Sequence, residues 1–162
     1  MTMAPDGTAT SIVKAVTVQA PIAVAFDVFT TRFDTWWPRS HHIAETDMAE
    51  ARIEPVVGGR WYEVGVDGSE CDWGRVLAYD SPNHVAWSWH LTRGFTYDPD
   101  PERASRVDVR FTAINASETR VELTHSQLDR HGAGWEEVRD GVGGEGGWPG
   151  LLDIFATAAN AA

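Results

Sequence analysis

The sequence is poor in cysteine, in basic residues and in long apolar runs, and each shortage excludes a class of protein. Cys71 is the only cysteine, so no disulfide can form within the chain. The 13 Lys and Arg residues stand against 24 Asp and Glu residues, which gives a net charge of −11. Because phosphate contacts need a basic surface, this balance argues against nucleic acid and anionic membranes as partners. No apolar run approaches the roughly 18 residues that span a bilayer.

Recognised metal and catalytic motifs are missing as well. The chain has no HExxH or paired-cysteine spacing, no phosphate loop of the GxxxxGK[ST] type and no GxSxG elbow. His41 and His42, together with Glu45 and Asp47, offer metal-ligating side chains. Adjacent histidines cannot easily point at one ion, so we interpret this segment as a solvated loop. We therefore expect neither a metal nor a cofactor.

Length and the N-terminal composition predict one domain that is preceded by a short tail. A chain of 162 residues is long enough for a single core, and we expect a flexible tail over residues 1–10 and one domain over residues 11–162. The tail lacks the apolar segment of a secretory signal, which predicts a soluble, cytoplasmic protein. Tryptophan is abundant instead, with 8 residues that favour a core, a pocket or an interface.

Hydropathy patterns predict an antiparallel sheet that is followed by a helix. Apolar residues alternate in the strand segments and recur every three to four residues in the helical ones. The predicted strands cover residues 11–19, 52–56, 60–66, 72–79, 85–91, 105–114 and 119–128, and the helical segments residues 22–33, 134–142 and 148–155. We predict an α+β fold in which a curved antiparallel sheet of about six to seven strands wraps around a long C-terminal helix, with a short helical segment after the first strand.

Short segments rich in glycine, tryptophan and proline carry a family resemblance. They read VVGGR at residues 56–60, WGRV at residues 73–76, DSP at residues 80–82, TRVELTH at residues 119–125 and GWPGLL at residues 147–152. Over roughly residues 11–160 the chain resembles the heat-shock-protein-90 ATPase activator homologue-like family. That family belongs to the START-like, birch-pollen-allergen-like superfamily (SRPBCC). The resemblance implies its helix-grip fold, in a superfamily that includes lipid carriers, cyclases and aromatic-ring hydroxylase subunits.

The space between the curved sheet and its helix is where we expect a ligand cavity, of roughly 300 Å³ or more. The predicted walls are Trp61, Trp87, Trp89, Phe111, Trp148, Leu152 and Phe155, and the predicted polar contacts are Glu63 and His125. Strand alternation places both polar side chains on an inward face, where each needs a partner or a ligand. The alternatives are that the aromatic side chains fill the core and that Glu63 and His125 make structural hydrogen bonds.

Three functions are compatible with these features. The first is non-catalytic binding of a small hydrophobic or amphipathic molecule. The second is a co-chaperone-like interaction module with a role in stress response, although the eukaryotic activators carry an additional N-terminal domain for which 162 residues leave no room. The third is a cyclase-type or hydrolase-type enzyme, which would need Glu63 and His125 to meet at a common point. We expect a monomer or a homodimer.

Overall fold

A computed structural model describes residues 9–162 of the chain. Most of the tail expected over residues 1–10 therefore lies outside the described residues. The helices are α1 (Ile22–Phe29), α2 (Trp135–Gly143) and α3 (Trp148–Ala161). The strands are β1 (Ile12–Val18), β2 (Met48–Ile53), β3 (Arg60–Gly65), β4 (Glu70–Asp80), β5 (His84–Trp89), β6 (Ser105–Asn115) and β7 (Glu118–Ser126).

The strands form a single antiparallel sheet of seven strands in the order β1-β7-β6-β5-β4-β3-β2. Because β1 pairs with β7, the first and last strands of the chain lie side by side. Every second residue of β7 is buried, which is the pattern of a strand with one face on a core. The sheet curls around the C-terminal helix α3, which confirms the predicted helix-grip architecture.

Several elements differ from the sequence prediction in their extent, and α1 ends at Phe29, before the predicted residue 33. The strand expected over residues 52–56 is β2, which begins earlier, at Met48, and pairs with β3. The C-terminal region forms two helices, as the sequence predicts, but α3 continues beyond the predicted residue 155 to Ala161, and Gly147 lies at the junction between the two helices. A Cβ atom at Gly147 would come within 2.2 Å of the carbonyl oxygen of Val142, so only glycine permits this close approach. Pro149 then occupies the first turn of α3, a position that suits proline.

Aromatic side chains fill the space between the sheet and α3. Phe29, on α1, is fully buried and lies 4.9 Å from Phe155 of α3, measured between ring centroids. On its other sides Phe29 contacts Trp87 at 5.9 Å and Phe111 at 5.9 Å, both from the sheet. Trp36 closes the cluster at 5.2 Å from Phe29. These side chains therefore fill a part of the interior in which the sequence predicts a cavity.

The helices between residues 9 and 162 are all too short or too polar to cross a membrane.

Candidate functional site

A cavity of about 260 Å³ lies at one end of the molecule, where the end of β5 meets the α2–α3 junction. The segment that follows Trp37 and the turn that carries Phe95 close its other sides. Its lining is mostly aromatic and aliphatic, with three polar side chains. The lining residues are Trp37, Ser40, His41, His42, Ile43, Trp73, Trp89, Leu91, Phe95, Gly141, Val142, Gly146, Gly147, Trp148 and Leu151.

Two of the predicted wall residues, Trp89 and Trp148, line this cavity. The other predicted walls lie deeper, in the packed interior, and do not border it: Trp61, Trp87, Phe111, Leu152 and Phe155. The reason is that Phe29 and Trp36 approach from the side of α1 and occupy the space that the sheet and α3 leave. The volume is also below the roughly 300 Å³ expected for a ligand pocket. The cavity expected between the sheet and α3 is thus confined to the end of α3 next to the α2–α3 junction.

Each of the four tryptophans in the cavity wall donates its indole N–H to an acceptor inside the protein. Trp37 donates to the carbonyl of His41 at 3.0 Å, and Trp89 donates to the carbonyl of Leu91 at 2.9 Å. Trp73 donates to Glu63 Oε1 at 2.8 Å, and Trp148 donates to His125 Nδ1 at 3.0 Å. These bonds fix the orientation of the rings, so the cavity is bordered by indole rings whose donors are occupied.

Glu63 is fully buried and lies behind the cavity wall. Besides the indole of Trp73, its carboxylate accepts hydrogen bonds from the backbone N–H groups of Ile43 at 2.6 Å and Ala44 at 3.3 Å. A buried carboxylate with three donors has the partners that its burial demands. Glu63 therefore anchors the segment that carries Ile43, a cavity residue, and does not itself border the cavity.

His125 is also fully buried and makes structural hydrogen bonds. Its Nδ1 accepts from Trp148, so the neutral ring carries its proton on Nε2, which donates to Ser105 Oγ at 2.7 Å. Ser105 Oγ in turn lies 2.8 Å from His131 Nε2. Since Glu63 and His125 hold different tryptophans and neither lines the cavity, the pair expected for catalysis does not meet there.

Burial controls the charge of both histidines in this chain of hydrogen bonds. Desolvation, with a smaller contribution from His131, lowers the pKa of His125 from 6.5 to about 3. Desolvation also lowers the pKa of His131 to about 4, helped by the nearby His90 and opposed by Asp98. Both rings are therefore neutral at physiological pH. The Nδ1 atom of His131 has no hydrogen-bond partner within residues 9–162.

His41 and His42, which we expect in a solvated loop, both line the cavity. Nε2 of His41 donates to the carbonyl of Gly146 at 2.8 Å, which ties this loop to the α2–α3 junction. Nδ1 of His42 donates to the carbonyl of Ala44 at 2.8 Å. The described part of the chain contains no group of three or more His, Cys, Asp or Glu side chains placed to hold a metal ion. The histidine pair thus forms part of the cavity rim, and His41 ties that rim to the α2–α3 junction.

Phe95 forms the outer edge of the cavity and is 52% exposed. Its backbone φ of 57° is in the left-handed region, directly after Gly94 at 74°. Non-glycine residues at positive φ are uncommon and occur preferentially at functional sites. An ion pair of 3.1 Å between Arg93 and Glu137 connects the same turn to α2.

A comparison with family models matches residues 19–160 to the family described as activator of Hsp90 ATPase homolog 1-like protein. Among solved structures, an anthrahydroquino-gamma-pyrone synthase is 37% identical, with a TM-score of 0.65 over 94% of this chain and 99% of that chain. CalC, a self-sacrificing resistance protein from Micromonospora echinospora, is 30% identical, with a TM-score of 0.68 over 93% of this chain and 94% of that chain.

A protein from Nitrosomonas europaea that is 12% identical, with a TM-score of 0.65 over 99% of each chain, shares the fold. No curated protein sequence matches the chain at a significant level.

Proposed function

This chain belongs to the activator of Hsp90 ATPase homolog 1-like family, and on that premise we propose that it binds a small aromatic molecule in the cavity beside Trp89 and Trp148. The observation that carries the proposal is the lining, in which four tryptophans and Phe95 surround about 260 Å³ of space. A dry cavity of about 150 Å³ binds benzene, so this volume suits a molecule of two fused rings. Indole rings supply broad apolar surfaces for such a ligand.

Isothermal titration calorimetry with naphthalene tests the proposal. For a ligand of this size we expect a Kd between about 10 μM and 1 mM. Ser40 is exposed and lines the cavity, so Ser40→Trp should fill the opening without disturbing the core and abolish the binding heat. The matched control is Ser117→Trp in the exposed β6–β7 turn, which lies at the opposite end of the sheet and should leave binding unchanged. Binding that survives Ser40→Trp would place the ligand elsewhere.

Catalysis in the same cavity is a second candidate, favoured by the 37% identity to a synthase. His42 is the residue that could act as a general base, because its Nδ1 is protonated and bonded to Ala44, which leaves a lone pair on Nε2. The test is to incubate the protein with a hydroxyaryl 1,3-diketone, in which the deprotonated phenol oxygen attacks the distal carbonyl carbon and the oxygen of that carbonyl leaves as water, and to follow the loss of water by mass spectrometry. A rate above the uncatalysed reaction that His42→Phe removes would support an enzyme, and an unchanged rate would exclude this reaction.

The family description also suggests an interaction with a chaperone, the alternative already drawn from the sequence. Nothing in the contacts of residues 9–162 singles out a partner surface, so small-molecule binding has the stronger support. An ATPase assay of heat-shock protein 90 decides between them. Stimulation at stoichiometric excess of this protein would favour the interaction module, and its absence would remove that candidate.

A further inference from the structure

The polar side chains of the cavity have used all of their hydrogen-bond donors within the protein. The four indole N–H groups are bonded to internal acceptors, as described above. His41 donates through Nε2 to Gly146, so its Nδ1 is an acceptor and receives the hydroxyl hydrogen of Ser40 at 3.1 Å. His42 donates through Nδ1 to the carbonyl of Ala44. A ligand in the cavity therefore meets no free side-chain donor.

The acceptors of the same residues are not all used. Because Nδ1 of His42 carries the proton, Nε2 of the neutral ring presents a lone pair, and no residue among 9–162 donates to it. Ser40 Oγ keeps acceptor capacity after donating its hydrogen to His41. The carbonyl and carboxylate groups behind the wall are already paired with the indoles. The cavity thus combines aromatic walls with acceptors that require a donor from the ligand.

From this asymmetry we infer that the ligand is an aromatic molecule that carries a hydroxyl donor, such as a phenol or an enol, and that the donor is received by Nε2 of His42. The inference rests on the proposed function, since it concerns the same cavity. The lone pair on Nε2 of His42 gains a partner only from a ligand that carries a donor, whereas the side chains of the cavity offer no donor to a ligand that brings only acceptors. His42 is then the residue that determines specificity, while the tryptophans provide affinity.

Three probes that share the naphthalene ring system test the inference on the intact protein by calorimetry: naphthalene, 1-naphthol and 1-methoxynaphthalene. We expect 1-naphthol to bind roughly 3- to 10-fold more tightly than the other two, the range of one hydrogen bond that replaces contacts with water. Equal affinities of 1-naphthol and 1-methoxynaphthalene would overturn the inference, while binding of naphthalene would still support the proposed function. Absence of binding by all three would overturn both.

His42→Phe identifies the acceptor, because the ring is kept and the lone pair is lost. In this variant 1-naphthol should bind no more tightly than 1-methoxynaphthalene. The matched control is His84→Phe, which changes a histidine that is bonded to Asp108 outside the cavity and should retain the preference for 1-naphthol. A preference that persists in His42→Phe would assign the acceptor to another group and overturn the role of His42.

Discussion

Trp148 donates its indole N–H to Nδ1 of His125 over 3.0 Å, and this bond joins a wall of the cavity to a fully buried polar residue. Trp73 and Glu63 repeat the arrangement on the sheet side of the cavity at 2.8 Å. In both pairs the tryptophan lines the cavity and the polar residue lies behind it. The shape of the cavity therefore depends on side chains that a ligand does not touch.

Removal of the His125 ring should destabilise the protein. His125→Leu leaves the N–H of Trp148 buried without an acceptor, and we expect the free energy of unfolding to fall by about 1 to 3 kcal/mol. Urea unfolding measures this change. In the background of Trp148→Phe the donor is absent, so the same substitution should cost less, and the double-mutant cycle should give a clear coupling energy. Additive effects of the two substitutions would contradict the pairing.

Glu63→Gln should loosen the segment that carries Ile43. A glutamine amide keeps one oxygen acceptor, but its NH₂ group cannot accept from the backbone, so one of the three donors now bonded to the carboxylate loses its partner. We expect a loss of about 1 to 3 kcal/mol in unfolding free energy and weaker binding of naphthalene. Glu45→Gln, at an exposed position in the same segment, is the matched control and should change neither quantity.

His41→Ala should open the rim of the cavity. The substitution removes the 2.8 Å bond to the carbonyl of Gly146, which connects the loop after Trp37 to the α2–α3 junction. We expect faster amide hydrogen exchange over residues 144–147 and a higher dissociation rate for naphthalene, with little change in the exchange of β6 and β7. Exchange that stays as slow as in the wild type would show that the junction is held by its own packing.

The fold could be predicted because the alternation of apolar and polar residues along a strand is a local property of the sequence. The parity of Glu63 and His125 indicates an inward position for both, and both are fully buried. Their partners could not be predicted, because Trp73 and Trp148 are 10 and 23 residues away and the bonds depend on how strands and helix meet. The sequence could thus show that these residues need partners but not which partners they have.

The location of the cavity depends on packing between distant segments. The alternation of apolar and polar residues within a strand does not predict such packing. Trp87 and Phe111 share the inward face with Trp89, yet only Trp89 reaches open space, because Phe29 from α1 fills the rest. The sequence predicts a solvated loop at His41 and His42 because adjacent histidines cannot easily point at one ion, and a loop has no hydropathy period that would indicate packing. The adjacent tryptophan pair at residues 36–37 was the one available signal that this segment packs against the core.

Acid should destabilise the protein at a pH where most carboxylates are still ionised. His125 and His131 have folded-state pKa values of about 3 and about 4, against an ordinary value of 6.5 in the unfolded chain. Below pH 6.5 the unfolded chain therefore binds protons that the folded protein does not, and the free energy of unfolding falls. Each histidine contributes up to about 1.4 kcal/mol per pH unit until the pH reaches its folded-state pKa.

Urea unfolding at constant ionic strength between pH 7 and pH 5 measures this slope, since Asp and Glu titrate mainly below that range. His131→Gln removes one of the two groups and should reduce the slope by about half. The matched control is His84→Gln, which changes a histidine that lies 2.8 Å from Asp108, leaves both buried rings in place and should not reduce the slope. A stability that is independent of pH from 7 to 5 would mean that the two buried rings accept protons in the folded state. The Trp148–His125 bond could then not persist, because a protonated Nδ1 is no longer an acceptor for the indole.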